Sequence, residues 1–485
     1  MSDEQTPTAG RRADRGAASA PGRRGVVRRR RLDALAALSL LLPVVAGAAF
    51  AVTRADDPAP APDVPPTSSR LTDASLVCAS AASRTAGPVR LSRVPGLEGG
   101  NVTVRVAGPD ATPLREQGRV RVQPDQLTSV TTDGDVAVTG TDAAAPGLVA
   151  GRTGAARAAA ECRAPTFDEW YVGIGAAARQ ASIIELVNPD EGPAVVEVVL
   201  YGRHGPEPID EQDLRGIRVP GHEVVRLDLS RMAPRRGTLA AHVTVVRGRV
   251  TTTVRHTYDP LGSSAPRIDF LPAQAAPLTS NLLLGVPAEG SGVVHLFNPG
   301  ADEARATVRV VSGSAVFTPA GLDDVVVPAG SVRQVELSRV LTEQAAKGAL
   351  GLEVVSAEPL VASVRLLDDD LGLVAPSTTF DADEPVASVV PEGPKTLVLA
   401  GATRSGTVRV TAIDADGGRL LDEKRVEVGA DRGHSLKLPD EAVLVVVESG
   451  NTAIAGTVML TGDRLGVLRL RPAEVDADIP DVRPE

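Results

Sequence analysis

The chain has 485 residues, 43% of them hydrophobic, and a formal net charge of −10. That length exceeds what one hydrophobic core usually supports, so several domains are expected, and the negative balance argues against a polyanion, nucleic acid included, as the main partner. Aromatic residues make up only 2%, so stacking platforms for sugars or bases are scarce and the cores must be built from Val, Leu, Ile and Ala.

Residues 1–33 read as a disordered cytoplasmic tail, with nine arginines among residues 1–31. The uncharged run ALAALSLLLPVVAGAAFAV follows. Its 19 residues, Ala34 to Val52, would rise about 28 Å as a helix, against a hydrocarbon thickness of roughly 30 Å. A transmembrane helix is therefore expected over 34–53, with the arginines held in the cytoplasm and the bulk of the chain outside a single-pass cell-membrane anchor. The triplet Ala49-Phe50-Ala51 offers an alternative, a signal peptide cleaved near Ala51 that releases a secreted protein. Residues 54–70, rich in proline, read as an extended linker.

The next segment, 71–165, reads as a degenerate first β-domain carrying both cysteines, Cys78 and Cys162. Further metal ligands are not nearby, so an exported pair of this kind points to a disulfide. Closing a loop of about 85 residues would stabilise the fold by roughly 4–5 kcal/mol in the chain-entropy model.

An internal duplication fills 166–390. IIELVNP contains Ile184, Leu186, Asn188 and Pro189, and VVHLFNP contains Val294, Leu296, Asn298 and Pro299, at a constant offset of 110 (298 − 188). VPGHEVVRLDLS matches VPAGSVRQVELS at an offset of 108, and Val254-Arg255 matches Val364-Arg365 again at 110. Each Asn-Pro ends a strand by two mechanisms, an Asx-turn onto the following backbone and a proline that donates to no ladder. The copies are expected to be β-sandwiches over 166–275 and 276–390. A shorter copy over 391–475 has Gly401-Ala402 in place of Asn-Pro, and 476–485 is an acidic tail. The best helix candidate, LSRVLTEQAAKGAL at 337–350, lies in an inter-strand connection. The fold class expected is all-β: tandem immunoglobulin-like β-sandwich repeats after one N-terminal transmembrane helix.

These features resemble an uncharacterised actinobacterial family of exported proteins classified only as a domain of unknown function. The residues that carry the likeness are Cys78, Cys162 with Trp170, and the L-x-N-P strands Leu186 to Pro189 and Leu296 to Pro299. The resemblance implies a cell-envelope location and supplies no catalytic residues.

Sites of chemistry are sparse. His222-Glu223 begins an H-E-x-x-H pattern, but Arg226 stands at its fifth position and the segment reads as a strand. His242 and His256 are expected to approach on adjacent strands as a surface pair. Asp190-Glu191 and Asp368-Asp369-Asp370 read as solvated acidic loops, with calcium as the sharper reading. Asp168-Glu169-Trp170 suggests a glycosidase carboxylate beside a sugar-stacking ring, yet neighbouring strand residues face opposite ways. No catalytic residue, metal ligand or cofactor is therefore assigned. The expected function is a non-enzymatic, membrane-tethered extracytoplasmic protein that binds or scaffolds an envelope protein or polymer. An exported hydrolase of cell-wall glycan or peptide is the alternative.

Overall fold

The structure, a computed structural model, describes residues 67–81, 87–124, 126–152, 160–206, 213–260, 265–287, 291–320, 324–339, 348–367, 370–382, 384, 386–461 and 465–479. The arginine-rich tail, the apolar segment 34–53 and the proline-rich stretch up to residue 66 lie outside them. Among the described residues no helix is long and apolar enough to cross a membrane.

Strands form where the sequence alternates. In Ala194–Gly202 the side chains of Ala194, Val196, Val198 and Leu200 are buried and those between them are not. Ala304–Ser312 and Gly406–Ile413 start with the same rhythm. A period of two on β-branched residues presses one face of a strand onto a core, at roughly 1.5–3 kcal/mol for each fully buried Val, Leu or Ile.

The described chain is nearly all β and forms four lobes. In the first, Asp73–Cys78, Val89–Arg93, Gly100–Val106, Arg115–Val122, Thr128–Val130, Val136–Thr141 and Leu148–Arg152 make two sheets. One sheet takes the first, sixth, third and fourth strands in that order, and the other takes the fifth, second and seventh. Val104 and Val138 from one sheet and Leu91 from the other share the core between them. The last lobe repeats the order, with Val386–Val389, Leu444–Ser449, Gly406–Ile413 and Arg419–Val428 in one sheet. Its second sheet places Lys395–Ala400 between His434–Leu438 and Ile454–Leu460.

The middle lobes keep this order but join their sheets. In the second lobe Asp168–Ala177 turns directly into Gln180–Asn188 and pairs with it at Gln180↔Ala177. In the third, one 19-residue strand, Ala349–Leu367, pairs first with Ala304–Ser312 and then with Ser291–Phe297. The duplication is visible in the register. Ile184 lies between Val254 and Leu227, and Val294 lies between Val364 and Val335, displaced by 110 and 108 residues (364 − 254 and 335 − 227). Leu397 takes the same place in the last lobe, between Val458 and Leu436.

Several details depart from the sequence reading. An immunoglobulin constant-type domain orders its strands ABED and CFG, so that its first strand neighbours its second. Here the first strand neighbours the sixth in every lobe. The helix expected over 337–350 is a single 3-10 turn at Leu337–Arg339, and Ala349 already belongs to the long strand; 340–347 lie outside the described residues. Val386–Val389, read with the repeat 276–390, pairs with Leu444–Ser449 of the fourth lobe. Thr67–Arg70 and Asp476–Ile479, read as linker and tail, form an antiparallel ladder. The prolines stop at Pro66, so from Thr67 onward the backbone has donors that an extended neighbour can accept.

The contacts between lobes close into a cycle. Val77 and Leu114 of the first lobe pack on Val187 and Val224 of the second. Val172 and Ala240 of the second meet Phe297, Val332 and Val361 of the third. Leu284 and Val311 of the third meet Val398 and Ala455 of the fourth. Val389, Ile413 and Leu444 of the fourth then meet Val94 and Val149 of the first. Glu185 and Val187, on the outward face of their strand, are buried by this packing. That accounts for the imperfect alternation of IIELV.

Candidate functional site

The two Asn-Pro corners have matching surroundings. Asn188 donates from Nδ2 to the carbonyls of Gly192 (2.8 Å) and Val219 (3.1 Å) and accepts from the Asp190 N–H (3.0 Å). Asn298 donates to Asp302 (2.7 Å) and Val327 (2.9 Å) and accepts from Gly300 (2.9 Å). Both amides are fully buried. The corner residues Asn188, Pro189, Asn298 and Pro299 thus end a strand and tie it to its neighbour; in the fourth lobe Gly401, at φ +69°, turns the chain instead. Cys78 and Cys162 are joined in a disulfide that fastens the first strand of the first lobe to the segment entering the second.

The other sequence candidates are dispersed. His222 sits in a turn at φ +55°, and Arg226 pairs with Asp135 (2.7 Å) and Glu185 (3.2 Å). His242 and His256 do not meet, because Arg236–Arg247 and Thr251–Tyr258 are not neighbours in the sheet. Asp190 is held by Arg249 through two bonds of 2.9 and 3.0 Å. Asp370 is buried and accepts from the Leu465 N–H (3.4 Å), while Asp368 and Asp369 lie outside the described residues. Asp168 and Glu169 face opposite sides of their strand: Asp168 bonds His242 Nε2 at 2.8 Å, and Glu169 is buried against Arg163 and Tyr171. Trp170 stacks on His242 with centroids 3.7 Å apart and exchanges backbone bonds with Gln274 at the boundary between lobes. Thr244 approaches the same His242 nitrogen as Asp168 does (3.3 Å). A hydrolytic triad instead needs its carboxylate and its nucleophile on opposite ring nitrogens.

Two groups of charged side chains stand out. The first lies where the inter-lobe segments converge. Arg469 Nε and Nη2 donate to the Glu161 carboxylate (2.7 and 2.8 Å), and its Nη1 donates to the carbonyls of Ala273 (2.7 Å) and Pro376 (3.0 Å). Glu161 precedes the second lobe, Ala273 follows it, Pro376 follows the third, and Arg469 ends the fourth. One guanidinium at the end of the fourth lobe therefore ties the three connections between lobes. Burial alone would raise the Glu161 carboxyl, but Arg469 and Arg471 hold it down at about 2. This is the hub of the fold.

The second group lines a groove of about 730 Å³ at the seam of the second and third lobes. Arg179 sits in the turn between Asp168–Ala177 and Gln180–Asn188, Arg203 in the turn after Ala194–Gly202, and Arg235 and Arg236 follow the short helix Leu229–Met232. Arg365 enters from the long third-lobe strand and donates to Gln180 Oε1 (2.9 Å). Five arginines thus share the wall with Gln180, Thr238, Tyr258 and Gln334, and no Asp or Glu among the described residues lines it. Arg179, Arg203 and Arg235 are exposed, and no ion pair engages them among the described residues. Arg235 also holds φ at +64°, a left-handed conformation that costs a side chain of this size about 1–2 kcal/mol.

Close to Arg365, the seam is buried and electrically neutral. Burial and then Arg365 push His256 down to about 3, and burial, Arg365 and His256 hold His295 well below its usual range, so both rings stay uncharged. Ser182 Oγ lies 2.8 Å from His256 Nδ1 and accepts from the Gly175 N–H. Gly173, at φ +96°, lets His295 of the third lobe pack against the second, since a Cβ there would sit 2.9 Å from His295 Nδ1. A wall of fixed positive charge beside a dry seam can hold an anion. Arginine forks suit carboxylate and phosphate oxygens.

Sequence reading missed the groove because its members come from separate turns across nearly two hundred positions; only the adjacent pair Arg235-Arg236 was visible as a local signal. A sequence model of the DUF5719 family, described as a family of unknown function, matches residues 126–439, well over half of the 485. The chain belongs to that family. No curated protein matches it.

Proposed function

We propose that this DUF5719 protein is a non-enzymatic, membrane-tethered extracytoplasmic protein whose tandem β-sandwich lobes bind or scaffold a component of the cell envelope. The observation that carries this reading is the seam groove, a concave wall of five arginines with no Asp or Glu among its described lining residues. In the same reading, Ala34–Val52 crosses the membrane with the N-terminal arginines in the cytoplasm, and residues 54–66 hold the lobes away from the bilayer. The disulfide between Cys78 and Cys162 supports an oxidising compartment. The repeated L-x-N-P strands support kinship with exported actinobacterial proteins.

The test is crosslinking of the intact protein in its native membranes, followed by mass spectrometry of what is recovered with it. Recovery of a defined envelope component, crosslinked at the second or third lobe, is expected. A protein found wholly in the soluble cytoplasmic fraction, or one that releases cleaved glycan or peptide products from envelope preparations, would overturn the reading.

A further inference from the structure

The groove at the seam restricts the chemistry of its occupant. Among the described residues three of its guanidiniums have no ionic partner, and no carboxylate competes for them from the wall. The guanidiniums repel one another, and an anion held among them would relieve that repulsion. Arginine presents a planar fork of donors that matches tetrahedral phosphate and planar carboxylate oxygens, and five such forks exceed what one small anion can engage. Tyr258 is the one aromatic residue in the wall among the described residues, so base stacking does not provide the recognition. A bilayer is also a poor match. The exposed large hydrophobics Phe167, Val246, Leu278, Val326 and Leu420 all lie outside the groove, leaving nothing there to insert, and the site is a concavity between lobes. A flexible linear chain can enter a concavity that a flat membrane surface cannot.

We propose that Arg179, Arg203, Arg235, Arg236 and Arg365 form a binding site for a linear, phosphate-bearing polymer, with more than one phosphate held at once. This rests on the binding reading given above and specifies its ligand class. Arg365 is fixed by Gln180, and Arg236 sits at the start of a strand; these two belong to the framework. Arg179, Arg203 and Arg235 are the free hands, on turns where their side chains reach the ligand without disturbing a core.

The experiment uses the full chain in detergent, with long-chain polyphosphate as the probe and inorganic phosphate, polyglutamate and phosphatidylglycerol vesicles as comparators, measured by titration calorimetry and co-sedimentation. Polyphosphate is expected to bind at least tenfold more tightly than inorganic phosphate or polyglutamate, and more weakly as salt is raised. The variant Arg179→Gln, Arg203→Gln, Arg235→Gln should lose at least tenfold in affinity. A control with the same charge change on an exposed first-lobe strand, Arg115→Gln, Arg119→Gln, Arg121→Gln, should bind within twofold of the wild type. Circular dichroism on both variants separates loss of binding from loss of fold. Equal loss in the two variants, tighter binding of polyglutamate or vesicles, or no polyphosphate binding would overturn the proposal. A defined envelope partner recovered by crosslinking alongside a null titration would refute the ligand class and leave the scaffold reading intact.

Discussion

Replacing Arg469 by alanine tests whether the cycle of lobes is held at its hub. The side chain is only 2% exposed, and its loss would leave the Glu161 carboxylate with Arg471 at 3.2 Å as its remaining direct cation. Removing one partner of a buried pair costs about 3–5 kcal/mol. Stranding the carbonyls of Ala273 and Pro376 adds roughly 1 kcal/mol each. The total, about 5–7 kcal/mol, is a large fraction of the 5–15 kcal/mol that ordinary domains possess. Urea unfolding followed by circular dichroism should show the wild-type midpoint falling steeply in Arg469→Ala. The double variant with Glu161→Gln should lose at least about 2 kcal/mol less than the two single losses combined. A single-variant loss under about 1 kcal/mol, or strict additivity in the cycle, would refute the hub. The linked pH effect has a definite sign. Because the folded carboxyl is held at about 2 against an ordinary 4.5, its contribution is full above 4.5 and disappears as pH falls toward 2.

Other predictions follow from the same geometry. Asn188→Ala and Asn298→Ala each remove three hydrogen bonds from a buried amide and should each destabilise by about 1–3 kcal/mol, equal to one another within about 1 kcal/mol in thermal or urea melts. Burial, reinforced by Glu185 and opposed by Arg226, pushes Asp135 up to about 7, so this group favours the folded state less as pH rises from about 4 through 7. Urea midpoints collected between pH 5 and 8 should therefore vary less in Asp135→Asn than in the wild type. Opening the Cys78–Cys162 bridge by Cys→Ser changes at both positions should lower stability by about 4–5 kcal/mol, from the 84-residue separation it spans.

The fold was readable where local chemistry repeats. The 110- and 108-residue offsets reappear as ladder partners of Ile184 and Val294, because a strand pattern with a fixed stop at Asn-Pro sets register as well as strand identity. The weakened third match at Gly401-Ala402 is a real substitution of turn chemistry, since glycine reaches by its own conformation the bend that Asn makes by hydrogen bonding. What stayed hidden needs long-range placement. The sheet order depends on which strands cross between sheets, and equivalent repeats are compatible with several orders. His242 and His256 were expected to meet because they lie on consecutive strands, but each pairs with other neighbours. The arginine groove was obscured twice, by the dispersal of its residues and by an overall charge of the opposite sign.

The ladder between Thr67–Arg70 and Asp476–Ile479 places Thr67 directly opposite Ile479. A two-residue hairpin turn is long enough to join such a pair. With that turn in place the backbone would become an unbroken loop through four similar units, and the point where it is cut would be a free choice. Circular permutants opened in the turn between Gly406–Ile413 and Arg419–Val428, with Ile479 joined to Thr67, are then expected to rebuild the same cycle and the same hub from a different starting residue.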